Sequence, residues 1–168
     1  GYKAYGEDGC QINLEVSEKV LAQIEKVDLF HGVKLADFDE ALADGRISYI
    51  PAEITEKFYE QVLTCQIQPG ICRDAGLKVV YTPLNGTGNK PVREILKRIG
   101  IADLTIVPEQ EKPDGHFTTC PFPNPEITEA LALGLKLAKE KDADLLLATD
   151  PDCDRVGIAV KDQDDYRL

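Results

Sequence analysis

Apolar residues in the first 65 positions recur at helical intervals, whereas beyond residue 77 short unbroken apolar runs alternate with helical ones. Val16, Val20, Leu21, Ile24 and Val27 line one helical face, with Asn13 placed to cap it and Glu15 and Glu18 near its positive end. Residues 1–12, with glycines at 1, 6 and 9, predict a short strand and a turn. Residues 37–43 predict a brief helix, with Asp37 as cap, Glu40 in the first turn and Gly45 as terminator. Ile54, Phe58, Val62 and Cys65 mark a further helix, which Pro69-Gly70 ends.

From residue 77 the pattern changes. The run LKVVYT at 77–82 predicts a buried strand, followed by Pro83 and the turn NGTG. Val92, Ile95, Leu96 and Ile99 then predict a helix with Pro91 near its first turn, Lys97 and Arg98 at its negative end, and Gly100 after it. Residues 104–107 read as the next strand. Residues 108–125 hold five prolines and read as a long loop, a kind of segment that is often functional. A helix is expected from Asn124-Pro125 through Ile127, Leu131, Leu135 and Ala138, then a central strand at 145–148 and another at 156–160.

This strand–helix alternation predicts an α/β fold with a mostly parallel sheet, right-handed crossovers and helices on both faces. Only a short loop precedes the last strand, so it is expected to return antiparallel to its predecessor. Ligands of such sheets bind at the carboxyl ends of the parallel strands. The loops at 84–88 and 150–155 both fall there.

Composition narrows the choices. Thirty acidic against 19 basic side chains give a net charge of −11, which disfavours nucleic acid and anionic membranes as partners. No apolar run approaches the roughly 20 residues of a membrane helix, and no secretory leader is visible. Cys10, Cys65, Cys72, Cys120 and Cys153 form an odd, scattered set without zinc-site spacing, as expected of reduced thiols in a cytoplasmic protein. The sequence contains no Met, so Gly1 is expected to be an internal start rather than an initiator position.

The strongest chemical feature is the loop Asp150-Pro151-Asp152-Cys153-Asp154-Arg155. Its three carboxylates follow an apolar strand closely enough to repel one another, and an all-oxygen donor set suits magnesium or calcium rather than zinc. A solvated acidic turn is the plainer alternative. An EF-hand is excluded, because the sixth position is Arg155 rather than Gly and the twelfth is Lys161 rather than Glu. A haloacid-dehalogenase-like phosphotransferase fits less well, since Asp154 stands where that class has Thr or Val. Arg155 suits a salt bridge that steadies the turn, a phosphate contact, or both. Gly86-Thr87-Gly88, ahead of a helix, is a weaker candidate for offering backbone amides to an anion. His31 and His116 stand alone and receive no role.

TPLNGTG at 82–88, PNPE at 123–126 and ATDPDCDRVGI at 148–158, in that order, resemble the second domain of the α-D-phosphohexomutases, and most of all the phosphoglucomutase branch. Gly1-Tyr2-Lys3 resembles the segment just downstream of that family's phosphoserine loop. The resemblance implies a three-layer α/β/α domain at 51–168, preceded at 1–50 by a remnant of a similar domain. It implies transfer of a phosphoryl group between a serine and a hexose monophosphate through a bisphosphate intermediate. Asp150, Asp152 and Asp154 would hold Mg2+, Arg155 would act beside the phosphoserine, and Lys3 would serve in acid–base chemistry or phosphate contact.

Two positions depart from the family pattern. Asn85 stands where His is common, and an amide carries no proton near neutral pH. Cys153 replaces a small Ala or Gly. The only serines, Ser17 and Ser48, lie in no suitable loop, and no GEESG-like or RxSGTEP-like segment occurs. The expected partners are therefore a hexose phosphate in an intact enzyme and the missing domains of a parent chain. Mannose and pentose phosphates remain alternatives to glucose, as does an autonomous metal- or anion-binding domain. Short strands need neighbours, so native-state hydrogen exchange is expected to protect residues 1–50 less than residues 77–160; equal protection would contradict a remnant.

Overall fold

The computed structural model describes residues 3–168. It divides into two compact units between Pro51 and Ala52. In the first unit Tyr5 pairs antiparallel with Gln11 across a glycine-bearing turn, closed by the Gly6 amide donating to the Cys10 carbonyl at 2.9 Å. The expected strand is thus a single bridge, and Gly1 and Tyr2 lie outside the described residues. Helix α1 (Leu14–Ile24) begins at Asn13, whose Oδ1 accepts the Val16 amide at 3.0 Å. Helix α2 (Phe38–Ala43) begins at Asp37, which accepts the Glu40 amide at 2.9 Å. Both caps are where the sequence puts them, because each satisfies an amide that the helix leaves orphaned. Within α1 no residue is buried. Val16, Val20, Leu21 and Ile24 are 41% to 54% exposed, so this helix relies on its cap and local pairs rather than on packing.

The second unit runs α3 (Ala52–Thr64), α4 (Ile71–Ala75), β1 (Lys78–Thr82), α5 (Asn89–Arg98), β2 (Asp103–Ile106) and α6 (Pro108–Glu111). A 3-10 turn (Thr128–Leu131) then leads into α7 (Ala132–Lys141), β3 (Leu145–Thr149), β4 (Val156–Asp162) and β5 (Asp165–Arg167). The sheet order is β2-β1-β3-β4-β5, with β1 parallel to both β2 and β3, and β4 and β5 antiparallel.

Strand alternation sends successive side chains to opposite faces. Val80, Leu146 and Ala148 join Leu131 and Ala138 of the α7 layer, while Val79, Leu145 and Leu147 join Val92 and Leu96 of α5 on the other side. The result is the expected α/β/α sandwich. Gly134 lets α7 close on the sheet: a Cβ there would lie 2.7 Å from Leu146 Cδ1. Arg98 links α5 to α3, donating to both Glu56 and Glu94 and lying 4.8 Å from the centre of the Tyr59 ring.

Four local expectations need correction. The helix expected at Asn124-Pro125 begins only at Thr128, because Asn124 Oδ1 accepts the Glu126 amide at 3.0 Å and makes a turn first. The long proline loop contains α6, with Pro108 in its first turn. Helix α3 ends at Thr64, well before Pro69-Gly70, and Gly70 instead starts α4 in a left-handed conformation, φ +91°. Gln163 at φ +58° turns the chain into β5, an edge strand that the hydrophobic pattern does not announce. Among the described residues, no helix is long and apolar enough to cross a membrane.

Tyr81, fully buried in β1, hydrogen-bonds its hydroxyl to Thr149 Oγ1 at 2.8 Å. Burial, opposed by the Thr149 bond and reinforced by the nearby Cys153, pushes its phenol up to about 12. The folded state therefore keeps this proton above the point where the unfolded chain, at the ordinary 10.0, loses it. Its contribution is whole below pH 10 and is lost as pH rises toward 12. Urea unfolding at pH 8 and pH 11 is expected to show a smaller alkaline loss of stability for Tyr81→Phe than for the parent, and identical losses would refute this.

Candidate metal centre

Parallel pairing of β1 with β3, in which Thr82 faces Ala148, delivers residues 83–88 and 150–155 to the same end of the sheet. β3 ends at Thr149, and the chain folds back at once into β4, so the six-residue loop is tight. Cys153 takes the left-handed conformation at φ +62°, and its amide donates to the Asp150 carbonyl at 3.0 Å.

Asp150 organises this turn from within. It is 1% exposed, and its Oδ1 accepts the amides of Asp154 and Arg155, both at 3.0 Å. Its Oδ2 accepts Arg155 Nε at 2.9 Å. Burial alone would raise this carboxyl, but the Arg155 amide and guanidinium, together with Asp152, outweigh it and hold the group below the usual range. In return, hydrogen bonding to Asp150 pushes the Arg155 guanidinium up. Burial also pushes the Cys153 thiol up, as do the charges of the three aspartates.

Asp150, Asp152 and Asp154 are brought together: one carboxylate oxygen from each lies within 4.8 Å of the others, with Asp150 buried and the other two exposed. A carboxylate offers about four acceptor sites. Asp150 uses three of them for donors of residues 154 and 155. An all-oxygen trio of this kind can hold a hard divalent cation. Lys3 lies in the first unit, exposed, ahead of the Tyr5–Gln11 bridge.

Two of the three amides expected as an anion cradle in the turn after β1, those of Gly86 and Thr87, are turned to the protein instead. The amide of Asn85 donates to the Gln110 carbonyl, that of Gly86 to Pro83, and that of Thr87 to Pro151, at 2.8–2.9 Å. These donors are spent on the protein itself. Asn85, left-handed at φ +60°, also donates through Nδ2 to the carbonyls of Glu109 and Lys112. Its amide thus stitches the turn to α6. Thr82 Oγ1 donates to the buried Gln110 Oε1 at 2.7 Å and accepts the Leu84 amide at 3.1 Å. The sequence reading misses Thr82, Gln110, Tyr81 and Thr149 as supports of the site. Pro108 followed by Glu109-Gln110-Glu111 carries a helix-start signal that could have flagged α6.

The fold and this loop define a three-layer α/β/α domain with three clustered carboxylates at the carboxyl end of its parallel strands. Residues 56–163 match the family described as phosphoglucomutase/phosphomannomutase, alpha/beta/alpha domain II. The chain belongs to that family. It is 35% identical over 157 residues to a phosphoglucomutase of Staphylococcus saprophyticus, covering 94% of this chain and 28% of the relative. A phosphoribomutase of Saccharomyces cerevisiae is 36% identical over 177 residues, and a Staphylococcus aureus phosphoglucomutase 36% over 165, each covering 96% of this chain and 28% of the relative. The chain thus spans a little over a quarter of the length of these relatives.

Removing the Asp150 carboxylate would strand two amides and a guanidinium at once. Asp150→Ala is expected to cost about 2–4 kcal/mol in urea unfolding, against less than about 0.5 kcal/mol for the exposed Asp152→Asn. Comparable losses at the two positions would show that Asp150 does not organise the loop.

Proposed function

We propose that this chain supplies the metal-binding loop of a phosphoglucomutase, which interconverts glucose 1-phosphate and glucose 6-phosphate through an enzyme phosphoserine and a hexose bisphosphate. The observation that carries the proposal is the convergence of three carboxylates, within 4.8 Å, at the carboxyl end of the parallel strands of a domain of this family. Residues 51–168 are assigned as domain II and residues 1–50 as the end of the preceding, similar domain.

Asp150, Asp152 and Asp154 are assigned as ligands of Mg2+. When bound, Mg2+ draws charge from the transferring phosphoryl group. Arg155 is held through Nε by Asp150, and its half-exposed guanidinium leaves further N–H donors for the phosphoserine or a substrate phosphate. Lys3 is assigned to proton transfer or phosphate contact in the intact enzyme. Asn85 is assigned no proton, because its side chain is committed to the carbonyls of residues 109 and 112. The nucleophilic serine is assigned to a part of the parent protein outside these residues: Ser17 Oγ is bonded within α1 to the Leu14 carbonyl, and Ser48 lies in no suitable loop. Five free thiols suit a cytoplasmic setting.

The similarity to a phosphoribomutase supports a second reading, in which the parent enzyme prefers a pentose phosphate. Turnover of glucose 1-phosphate against ribose 1-phosphate by the full-length protein separates the two. The 168-residue chain alone is expected to give no interconversion. Full-length Asp152→Asn is expected to lose at least about a hundredfold in kcat, with Mg2+ binding weakened in calorimetry. Activity of the isolated chain, or wild-type turnover by Asp152→Asn, would overturn the assignment, and loss of all binding and turnover differences would favour a plain acidic turn.

A further inference from the structure

The acidic loop closes on itself through Asp150, whose carboxylate takes the amides of Asp154 and Arg155 and whose carbonyl takes the Cys153 amide across the corner at Pro151 and Asp152. That corner is gripped by the turn after β1. Thr87 donates twice to the Pro151 carbonyl, from its amide at 2.8 Å and from Oγ1 at 3.0 Å. This carbonyl belongs to the peptide that leads into Asp152, so fixing its plane fixes the Asp152 Cα. Gly86 lies directly against the same residue: a Cβ on it would sit 2.3 Å from Pro151 Cα and 2.6 Å from its oxygen. On the far side of Asp152, a Cβ on Gly88 would sit 2.9 Å from Cys153 Sγ, 2.6 Å from the Tyr81 hydroxyl and 2.7 Å from Thr149 Oγ1. Asp152 is therefore bracketed by two residues, Pro151 and Cys153, that both bear on residues 86–88.

We infer that Gly86 and Thr87 are positioning residues for Asp152: they touch no ligand, but hold its carboxylate against the repulsion of Asp150 and Asp154. The proposal rests on the reading of the three aspartates as a cation site. A small divalent ion such as Mg2+ demands near-ideal octahedral geometry, and three anionic side chains on a short loop spread apart unless the backbone beneath them is clamped. Thr87 supplies direction through two bonds to one oxygen. Gly86 supplies proximity, because any side chain would wedge the two loops apart.

The test is an NMR titration of the isotopically labelled 168-residue chain with Mn2+, whose paramagnetism broadens nearby amides even when binding is weak. The wild type is expected to broaden residues 150–155 first, and Asp152→Asn to raise the midpoint of that broadening. Thr87→Val, which keeps shape and loses the hydroxyl, is expected to raise the midpoint about fivefold, the equivalent of one ordinary hydrogen bond. Thr87→Ser, which restores the hydroxyl, is expected to return it to the wild-type midpoint. Gly86→Ala is expected to raise it about tenfold, as loss of a support behind a metal ligand does. Should Gly86→Ala fail to fold, the Thr87 pair decides. Wild-type midpoints for Thr87→Val, with Asp152→Asn impaired, would overturn the positioning role and leave the cation site standing. Absence of localised broadening in the wild type, or wild-type behaviour of Asp152→Asn, would remove the cation site and the positioning role together.

Discussion

A single buried carboxylate sets the terms for this molecule. Asp150 sits where a parallel strand ends, out of water, and remains charged because two backbone amides and a guanidinium converge on it. Those donors belong to residues 154 and 155, so satisfying the charge forces the chain into a tight reversal. The reversal brings Asp152 and Asp154 alongside and starts β4 antiparallel to β3. Chemistry and topology at this end of the sheet thus follow from the same hydrogen bonds.

Around that loop, the sheet acts as a rigid mount. β3 is central and flanked on both faces by helices, so its end is displaced only if the core moves. The neighbouring turn after β1 presses against the loop through glycines that admit no side chain. That turn is braced in its own right, by Thr82 bonding Gln110 of the short helix α6 and by Asn85 bonding the carbonyls of Glu109 and Lys112. Two consecutive left-handed residues, Leu84 and Asn85, are tolerated because burial of the first and hydrogen bonds of the second outweigh their backbone cost. Here the Asn85 side-chain amide does the bracing, donating to the carbonyls of Glu109 and Lys112.

The two units differ in how they are stabilised. The second has a core on each face of its sheet. The first has well-capped helices but a broad exposed apolar stripe along α1, and Leu29, Phe30 and Leu35 are also largely exposed. Caps and i,i+4 pairs give a helix its ends, whereas lasting stability comes from burying its apolar face.

Much was legible in the sequence because the deciding physics is local. Asn13 and Asp37 cap helices through their own side chains, and the short runs at 79–81 and 145–148, rich in β-branched, aromatic and leucine side chains, become strands. The strand–helix order fixes a parallel sheet with its loops at one end, and the spacing of Asp150, Asp152 and Asp154 within one turn guarantees that they are neighbours. What the sequence could not determine depends on partners far along the chain. Thr87 and Pro151 are 64 positions apart, and Thr82 and Gln110 are 28 apart. Short patterns around each residue carry no trace of such pairings, and glycines that look like an anion cradle turn out to be the space through which two loops touch. The carboxylates were determined by the sequence. Their aim was decided by the tertiary structure, because only pairing of β1 with β3 brings the Thr87 hydroxyl and Gly86 to bear on the one peptide that leads into Asp152.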